Sequence, residues 1–371
     1  MEIKILNEDK LSKIKKCINK IINGFDDYRQ TLYNPISPII YHYTSFKNLF
    51  NILEGDSFWA SRSRFSNDAT EDQVLGEEWI KKEQYYGDNF IICFCNHGDI
   101  LSQWRGYCPQ GGVSIGFRFL KGYDTYTLFN ALYNTDSPIS GKYIETYKNF
   151  PLPVIYCDTK KGSGHGIMND NIKKIFEEPE IKETDISLYD IMPYLKNGFF
   201  FEEQELRLVF NNSDSSLEKC IKFRKLEDGS MMPYIIVKYG NLLNVGRCLS
   251  ITYKDKIDAI FNEHLTASYR DPIVIPCGRD QAEICAAFSE KIRIHKRAIF
   301  SENREFEIAK WENNPIQLIC EGHLPIVSIT VSPSIQQQHM KEVIERYCRS
   351  KYWLQNIEVN CSKIPYVASN M

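Results

Sequence analysis

Residues 39–61 read Ile39-Ile40-Tyr41-His42-Tyr43-Thr44-Ser45-Phe46-Lys47-Asn48-Leu49-Phe50-Asn51-Ile52-Leu53-Glu54-Gly55-Asp56-Ser57-Phe58-Trp59-Ala60-Ser61. The opening run is β-branched and aromatic around one histidine, which predicts a short buried strand. Thr44 or Ser45 then offers a side-chain oxygen to cap a helix, expected over residues 46–53. Gly55 is the expected stop, because glycine accommodates a positive φ. Phe58-Trp59-Ala60-Ser61 reads as a second strand. Strand, helix and strand in such close succession, with more strands beyond, indicate an α/β or α+β domain, and an α+β fold of mixed or antiparallel sheets with packed helices is the expectation.

Outward from this stretch the pattern continues. Towards the amino terminus, Asn34-Pro35-Ile36-Ser37-Pro38 reads as a link. Before it, Ile5, Leu6, Leu11, Ile14, Ile18, Ile21 and Ile22 recur at helical spacing, which predicts a helix over residues 3–23. Towards the carboxyl terminus a polar turn at 62–68 precedes a helix carrying Glu71 and Trp79. Strands are expected at 90–95, 112–117, 154–156, 199–210, 234–237, 272–276, 324–331 and 357–359, with helices at 169–176 and 335–350. The implied organisation is a leading helix and link at 1–38, a core domain at 39–239, an insertion at 240–322, and a strand-helix-strand closing the core at 323–371.

With 371 residues, 43% of them hydrophobic and 13% aromatic, the chain has material for a substantial core. The 12 cysteines follow no apolar signal segment, so a cytoplasmic protein with free thiols is the expectation. No apolar run approaches the roughly 20 residues a membrane span requires, so no membrane association is expected. A formal charge of -3 creates no global field for nucleic acid.

Several residue groups could carry chemistry. On a strand at 199–210, Glu203, Glu205 and Arg207 would share one face and Gln204, Leu206 and Leu208 the other. Such a row is either a solvated ion-pair ladder or a functional cluster. His42 among tyrosines is either a hydrogen-bonded core residue or a ligand contact. Trp104, Arg105 and Tyr107 combine an indole, a guanidinium and a phenol, which can stack on a nucleobase or form a half-buried lid. Asn67 and Asp68 stand where a strand gives way to a helix, as caps or as substrate contacts. Cys93, Cys95, His97 and Cys108 are soft enough for zinc, but their spacing is poor, and no metal is expected.

His42-Tyr43-Thr44 followed by Ile52-Leu53-Glu54-Gly55 resembles the amino-terminal signature of ADP-ribosyltransferases of the His-x-Thr type. The resemblance implies an ADP-ribosyltransferase-like core and NAD as substrate. It places His42, Tyr43, Thr44, Trp59, Ser61 and Arg207 around NAD and makes Glu205 the carboxylate at the ribose, aided by Glu203. Asn67, Asp68, Trp104, Arg105 and Tyr107 would then meet the substrate. Breaking the nicotinamide glycosidic bond develops positive charge on the ribose, which an ionised carboxylate stabilises. The acceptor implied is nucleic acid, protein or water, the setting a toxin or phage-defence effector, and the partner an antitoxin or sensor. A non-enzymatic nucleotide- or partner-binding module is the alternative.

A second resemblance covers most of the chain. Tyr41-His42-Tyr43-Thr44, Phe65-Ser66-Asn67-Asp68, Cys93-Phe94-Cys95, Trp104 with Tyr107, Gly112-Val113, Phe201 with Glu203, Glu205 and Arg207, Leu324-Pro325-Ile326 and Ser362-Lys363-Ile364-Pro365-Tyr366 look like the landmarks, in order, of the bacterial domain of unknown function 2971 family. That family implies no particular reaction.

Overall fold

A computed structural model describes residues 8–24, 37–63, 89–118, 127–132, 144–148, 150–158, 167–211, 221–226, 229–244, 273–276, 317–321 and 323–365. In chain order the first elements are α1 (Glu8–Asn23), β1 (Ile40–Ser45), α2 (Phe46–Gly55), β2 (Phe58–Arg62), β3 (Asn89–Cys95), α3 (Leu101–Tyr107) and β4 (Gly112–Phe117). There follow β5 (Thr127–Leu132), β6 (Ile144–Lys148), β7 (Leu152–Pro153), β8 (Ile155–Asp158), β9 (Ile167–Met168), α4 (Asn169–Glu177), α5 (Pro179–Lys182), α6 (Leu188–Ile191) and β10 (Leu195–Asn197). The last are β11 (Glu205–Asn211), β12 (Lys222–Lys225), β13 (Met231–Asn244), β14 (Ile273–Pro276), β15 (Gln317–Glu321), β16 (Ile326–Val331), α7 (Gln337–Ser350) and β17 (Glu358–Cys361). The fold is thus α+β with mostly antiparallel strand pairing. No helix among the described residues is long and apolar enough to cross a membrane.

The chain divides into two compact units. The smaller takes residues 1–5, 120–148 and 238–324, so the expected 240–322 insertion groups with 120–148. Its described strands are β5 and β6, which pair antiparallel, and the second half of β13, β14 and β15, with β15 pairing antiparallel with β13 and parallel with β14.

The larger unit takes residues 6–119, 149–237 and 325–371 and holds every described candidate residue. Its sheet is organised by β3. Along one edge β11 pairs with β3 throughout, from Glu205 opposite Cys95 to Asn211 opposite Asn89. The other edge forks: Ser61 and Arg62 of β2 pair with Ile91 and Phe90, whereas Tyr41 of β1 pairs with Cys95. From β1 the sheet runs on through β4 and β16 to β17, and from β2 to the first half of β13 and β12.

Strand alternation makes one face of this sheet apolar. Phe58, Phe94 and Phe117 meet there with ring centroids 4.9–5.8 Å apart, over buried Phe90, Ile92, Leu206, Leu208 and Phe210. A separate core lies under α1, where Leu11, Ile14, Ile18, Ile21 and Ile22 are buried against Leu152, Ile155, Ile172, Ile191 and Leu195. Burying each of these isoleucines contributes about 2 kcal/mol, so the helical period of α1 is explained by this single apolar stripe.

The residue 39–61 reading holds in outline, with one shift. Ser45 is the N-cap of α2 and accepts from Asn48 N at 3.3 Å. The left-handed residue after the helix is Asp56, at φ 44, rather than Gly55. The expected strand at 199–210 is corrected more substantially. Gly198–Glu203 forms a 3-10 helix, opened by Asn197, whose side chain accepts from Phe199 N at 3.1 Å. Gln204 then turns through φ 42, and the strand starts only at Glu205. Three consecutive phenylalanines look like strand, but Phe199 is exposed, and the turn-forming Asn197-Gly198 pair prevails.

Candidate functional site

The 3-10 helix, β10 and β11 bring together four charged side chains. Lys196 Nζ lies 2.6 Å from Glu203 Oε2 and 2.7 Å from Glu205 Oε2. Arg207 donates from Nε to Glu205 Oε1 at 2.7 Å and from Nη2 to Glu205 Oε2 at 3.1 Å, and its Nη1 donates to the Pro193 carbonyl at 2.8 Å. The Glu205 amide donates to the Tyr156 hydroxyl at 2.8 Å. This is no solvated ladder: side-chain exposure is 2% at Arg207 and 4% at Lys196 and Glu205, but 14% at Glu203. Two acids and two bases sum to zero charge, which is how four ionised groups survive out of water.

The two carboxylates differ in acidity. Burial opposes the charge on Glu205, but Arg207 and Lys196 more than reverse this and hold it well below the usual carboxylate range. At Glu203 burial prevails over the pull of Lys196 and raises the pKa. Burial likewise disfavours charge on Lys196, yet the facing Glu205 and Glu203 carboxylates keep it protonated. One stays an anion, while its neighbour is the better proton acceptor.

The pairing registers decide which other candidates join this cluster. Tyr41, Cys95 and Glu205 lie in one row and Ser61, Ile91 and Val209 in another. Alternation therefore sets Tyr43, Trp59, Ser61, Cys93, Glu205 and Arg207 on a single face. Tyr107 of α3 reaches the same cluster: burial raises its pKa, and Lys196, Glu203 and Glu205 act on it electrostatically.

His42 and Thr44 project to the opposite face. The His42 ring packs edge-on against Phe58 and Phe94, at centroid distances of 6.1 and 6.0 Å. Its Nδ1 lies 2.8 Å from the Cys93 carbonyl, which the fork leaves without a β1 partner. The ring therefore donates from Nδ1. Burial lowers its pKa, partly offset by that bond, so the imidazole is neutral at pH 7. Thr44 is buried, and its carbonyl accepts from Cys108 Sγ at 3.4 Å. The expected grouping of His42 and Thr44 with Glu205 is thus not assembled on one face.

Trp104 is a packing residue rather than a stacking platform. It is 1% exposed, meets Tyr43 edge-on at 4.7 Å, and donates from Nε1 to Asp99 Oδ1 at 2.7 Å. Arg105, on the same short helix, is exposed. Asn67 and Asp68 lie outside the described residues.

Sequence reasoning missed two contributors. Lys196 sits in an apolar run, Tyr194-Leu195-Lys196, and that unusual setting was the available signal. Asp99 accepts from Trp104, from Ser362 Oγ at 2.6 Å and from Lys363 N at 2.9 Å. These bonds tie the last described segment to α3, and no local pattern announces them. Among the described residues no His, Cys, Asp and Glu group is arranged to hold a metal ion.

Residues 103–208 match the model of a family described as a protein of unknown function (DUF2971). The resemblance to that family is therefore supported over a span that includes Lys196, Glu203, Glu205 and Arg207. No curated protein and no solved structure matches the chain.

Proposed function

We propose that the chain is an ADP-ribosyltransferase-like enzyme that cleaves the bond between nicotinamide and ribose in NAD and passes ADP-ribose to an acceptor. The observation that carries this reading is the pair Glu203 and Glu205, which share one lysine and are driven in opposite directions in acidity. Opposed carboxylates of this kind serve glycosidic chemistry, where one group stays charged and another moves a proton.

This reading redistributes the roles expected from sequence. Glu205 is neutralised by Arg207 and Lys196, so it acts as a positioning residue that holds Lys196 and, through it, Glu203. Glu203 is the carboxylate that reaches solvent. The ribose–nitrogen bond breaks, its electron pair leaves with nicotinamide, and the Glu203 carboxylate stabilises the cationic ribose. An acceptor O–H or N–H then attacks the ribose carbon and gives its proton to Glu203. NAD and acceptor thus yield nicotinamide, the ADP-ribosylated acceptor and a proton. Trp59 and Ser61 share this face and supply an aromatic surface and a hydroxyl; His42 holds the fork from the other side.

The test is nicotinamide release from NAD, alone and with DNA, RNA or protein acceptors. Glu203→Gln is expected to lose turnover by orders of magnitude while retaining NAD affinity. Silence of the wild-type chain with every acceptor, together with no NAD binding, overturns the reading. The rival, a nucleotide-binding module without turnover, is favoured by the internal charge balance of the four side chains. It predicts NAD binding that Glu203→Gln leaves unchanged, with no nicotinamide released by either form.

A further inference from the structure

The lobe formed by β2, β12 and the first half of β13 carries a second cluster of charged and aromatic side chains. Arg224 and Lys222 of β12 lie two residues apart, on one face. Register places Arg224 opposite Met232 and Lys222 opposite Tyr234, and Tyr234 in turn opposite Ser61. The Arg224 guanidinium stands over the Trp59 indole, 5.7 Å from its centroid, and the Tyr234 ring lies 4.9 Å from that indole at 31°.

Arg224 is half-buried, yet its hydrogen bonding is poor. Nη2 donates to Ser61 Oγ and to the Met232 sulfur, both at 3.2 Å, and a thioether is a weak acceptor. Its buried Nε has no hydrogen-bond partner among the described residues. Among the described residues no carboxylate pairs with Arg224 or with Lys222. Burial makes the charge on Arg224 harder to hold, a cost that Tyr234 partly offsets. The contrast with Arg207 is direct, because that buried guanidinium is fully engaged by Glu205 and a carbonyl.

We infer that Arg224, with Lys222 and Ser61, forms a phosphate-binding site on the β2–β12–β13 lobe, with Trp59 and Tyr234 as its aromatic wall. A phosphate oxygen would accept from Nη1, for which no bond is made among the described residues, and guanidinium geometry suits a tetrahedral oxyanion. Lys222 adds a second positive charge to the same face. The site shares Ser61 and Trp59 with the face proposed for NAD but needs neither Glu203 nor Glu205, so phosphate binding and nicotinamide release succeed or fail separately.

The experiment is thermal unfolding of the whole chain against inorganic phosphate, adenosine monophosphate and adenosine, with sodium chloride at matched ionic strength as control. Phosphate and adenosine monophosphate are expected to raise Tm beyond the chloride effect through binding to the folded state, and adenosine alone is not. Equal effects of the two phosphates identify a free-ion site. A larger effect of the monophosphate identifies a phosphate ester whose base uses the aromatic wall.

Arg224→Gln is expected to abolish the phosphate-specific shift while leaving the unliganded Tm equal or higher, because it removes a half-buried charge that no carboxylate among the described residues pairs. Lys222→Gln, which leaves the fold contacts of Arg224 in place, is expected to weaken phosphate binding at least threefold. No phosphate-specific shift in the wild-type chain, or an undiminished shift in Arg224→Gln, overturns the inference. If Arg224→Gln fails to fold, an unchanged phosphate affinity in Lys222→Gln does so instead.

Discussion

Arg207 grips Glu205 two residues before it on the same strand, through Nε to Oε1 at 2.7 Å and Nη2 to Oε2 at 3.1 Å. Both side chains are nearly inaccessible to water. Truncating one partner strands the other charge in a low-dielectric setting. Arg207→Met is therefore expected to cost about 3–5 kcal/mol in urea unfolding. The double variant Arg207→Met with Glu205→Leu should recover part of that loss, because it leaves no stranded carboxylate at 205.

The opposed carboxylates predict opposite pH effects. The folded pKa of Glu205 lies below the ordinary 4.5. Its contribution to stability is fully present above that ordinary value and is lost as pH falls through the depressed one. Glu203 is raised above 4.5, so its contribution is present below that value and is lost as pH rises through the raised one. Urea midpoints measured from neutral to acid pH should show a flatter acid limb in Glu205→Gln. In Glu203→Gln, the gain in stability that mild acidification brings to the wild-type chain should disappear.

Thiol reactivity should follow burial. Burial pushes Cys17 and Cys348 up to about 11, and Cys95 and Cys108 up to about 12. At these values almost no thiolate exists near pH 8. Timed alkylation read by mass spectrometry should modify Cys361, which is less buried, before these four, which should react only on unfolding.

Two glycines in the same region should respond in opposite ways to alanine. A Cβ at Gly112 would strike the Thr44 carbonyl and approach Cys108 Sγ within 2.8 Å, where backbone cannot give way. Gly112→Ala should cost ~1–3 kcal/mol. A Cβ at Gly106, inside α3, meets nothing within 4 Å, so Gly106→Ala should stabilise by up to ~1 kcal/mol through helix propensity. Thermal unfolding of the two variants checks both signs.

Much of the local structure was legible because it depends on neighbours in sequence. The β1–α2–β2 succession follows from a β-branched run, a serine cap and an aromatic pair, all within reach of one another. The residue 112–117 strand follows in the same way. At Phe199-Phe200-Phe201 the apolar pattern misled, because the Asn197 cap and the left-handed Gln204 bend the chain whatever its hydrophobicity. Glu203, Glu205 and Arg207 stood out as charges needing a reason, but the reason is Lys196, contributed by the preceding β10 strand.

By itself the sequence determined a mixed helix-and-strand class, the positions of most described helices and strands, and the singling out of Glu203, Glu205 and Arg207. These are consequences of periodicity, capping and composition, which act over a few residues. Only the tertiary structure decided that β1 and β2 fork along one edge of β3, that His42 and Glu205 face opposite sides of the sheet, and that Arg224 stands over Trp59. The reason is that register and strand order arise from pairing between segments far apart in the chain. A shift of one residue in that pairing exchanges one face of the sheet for the other.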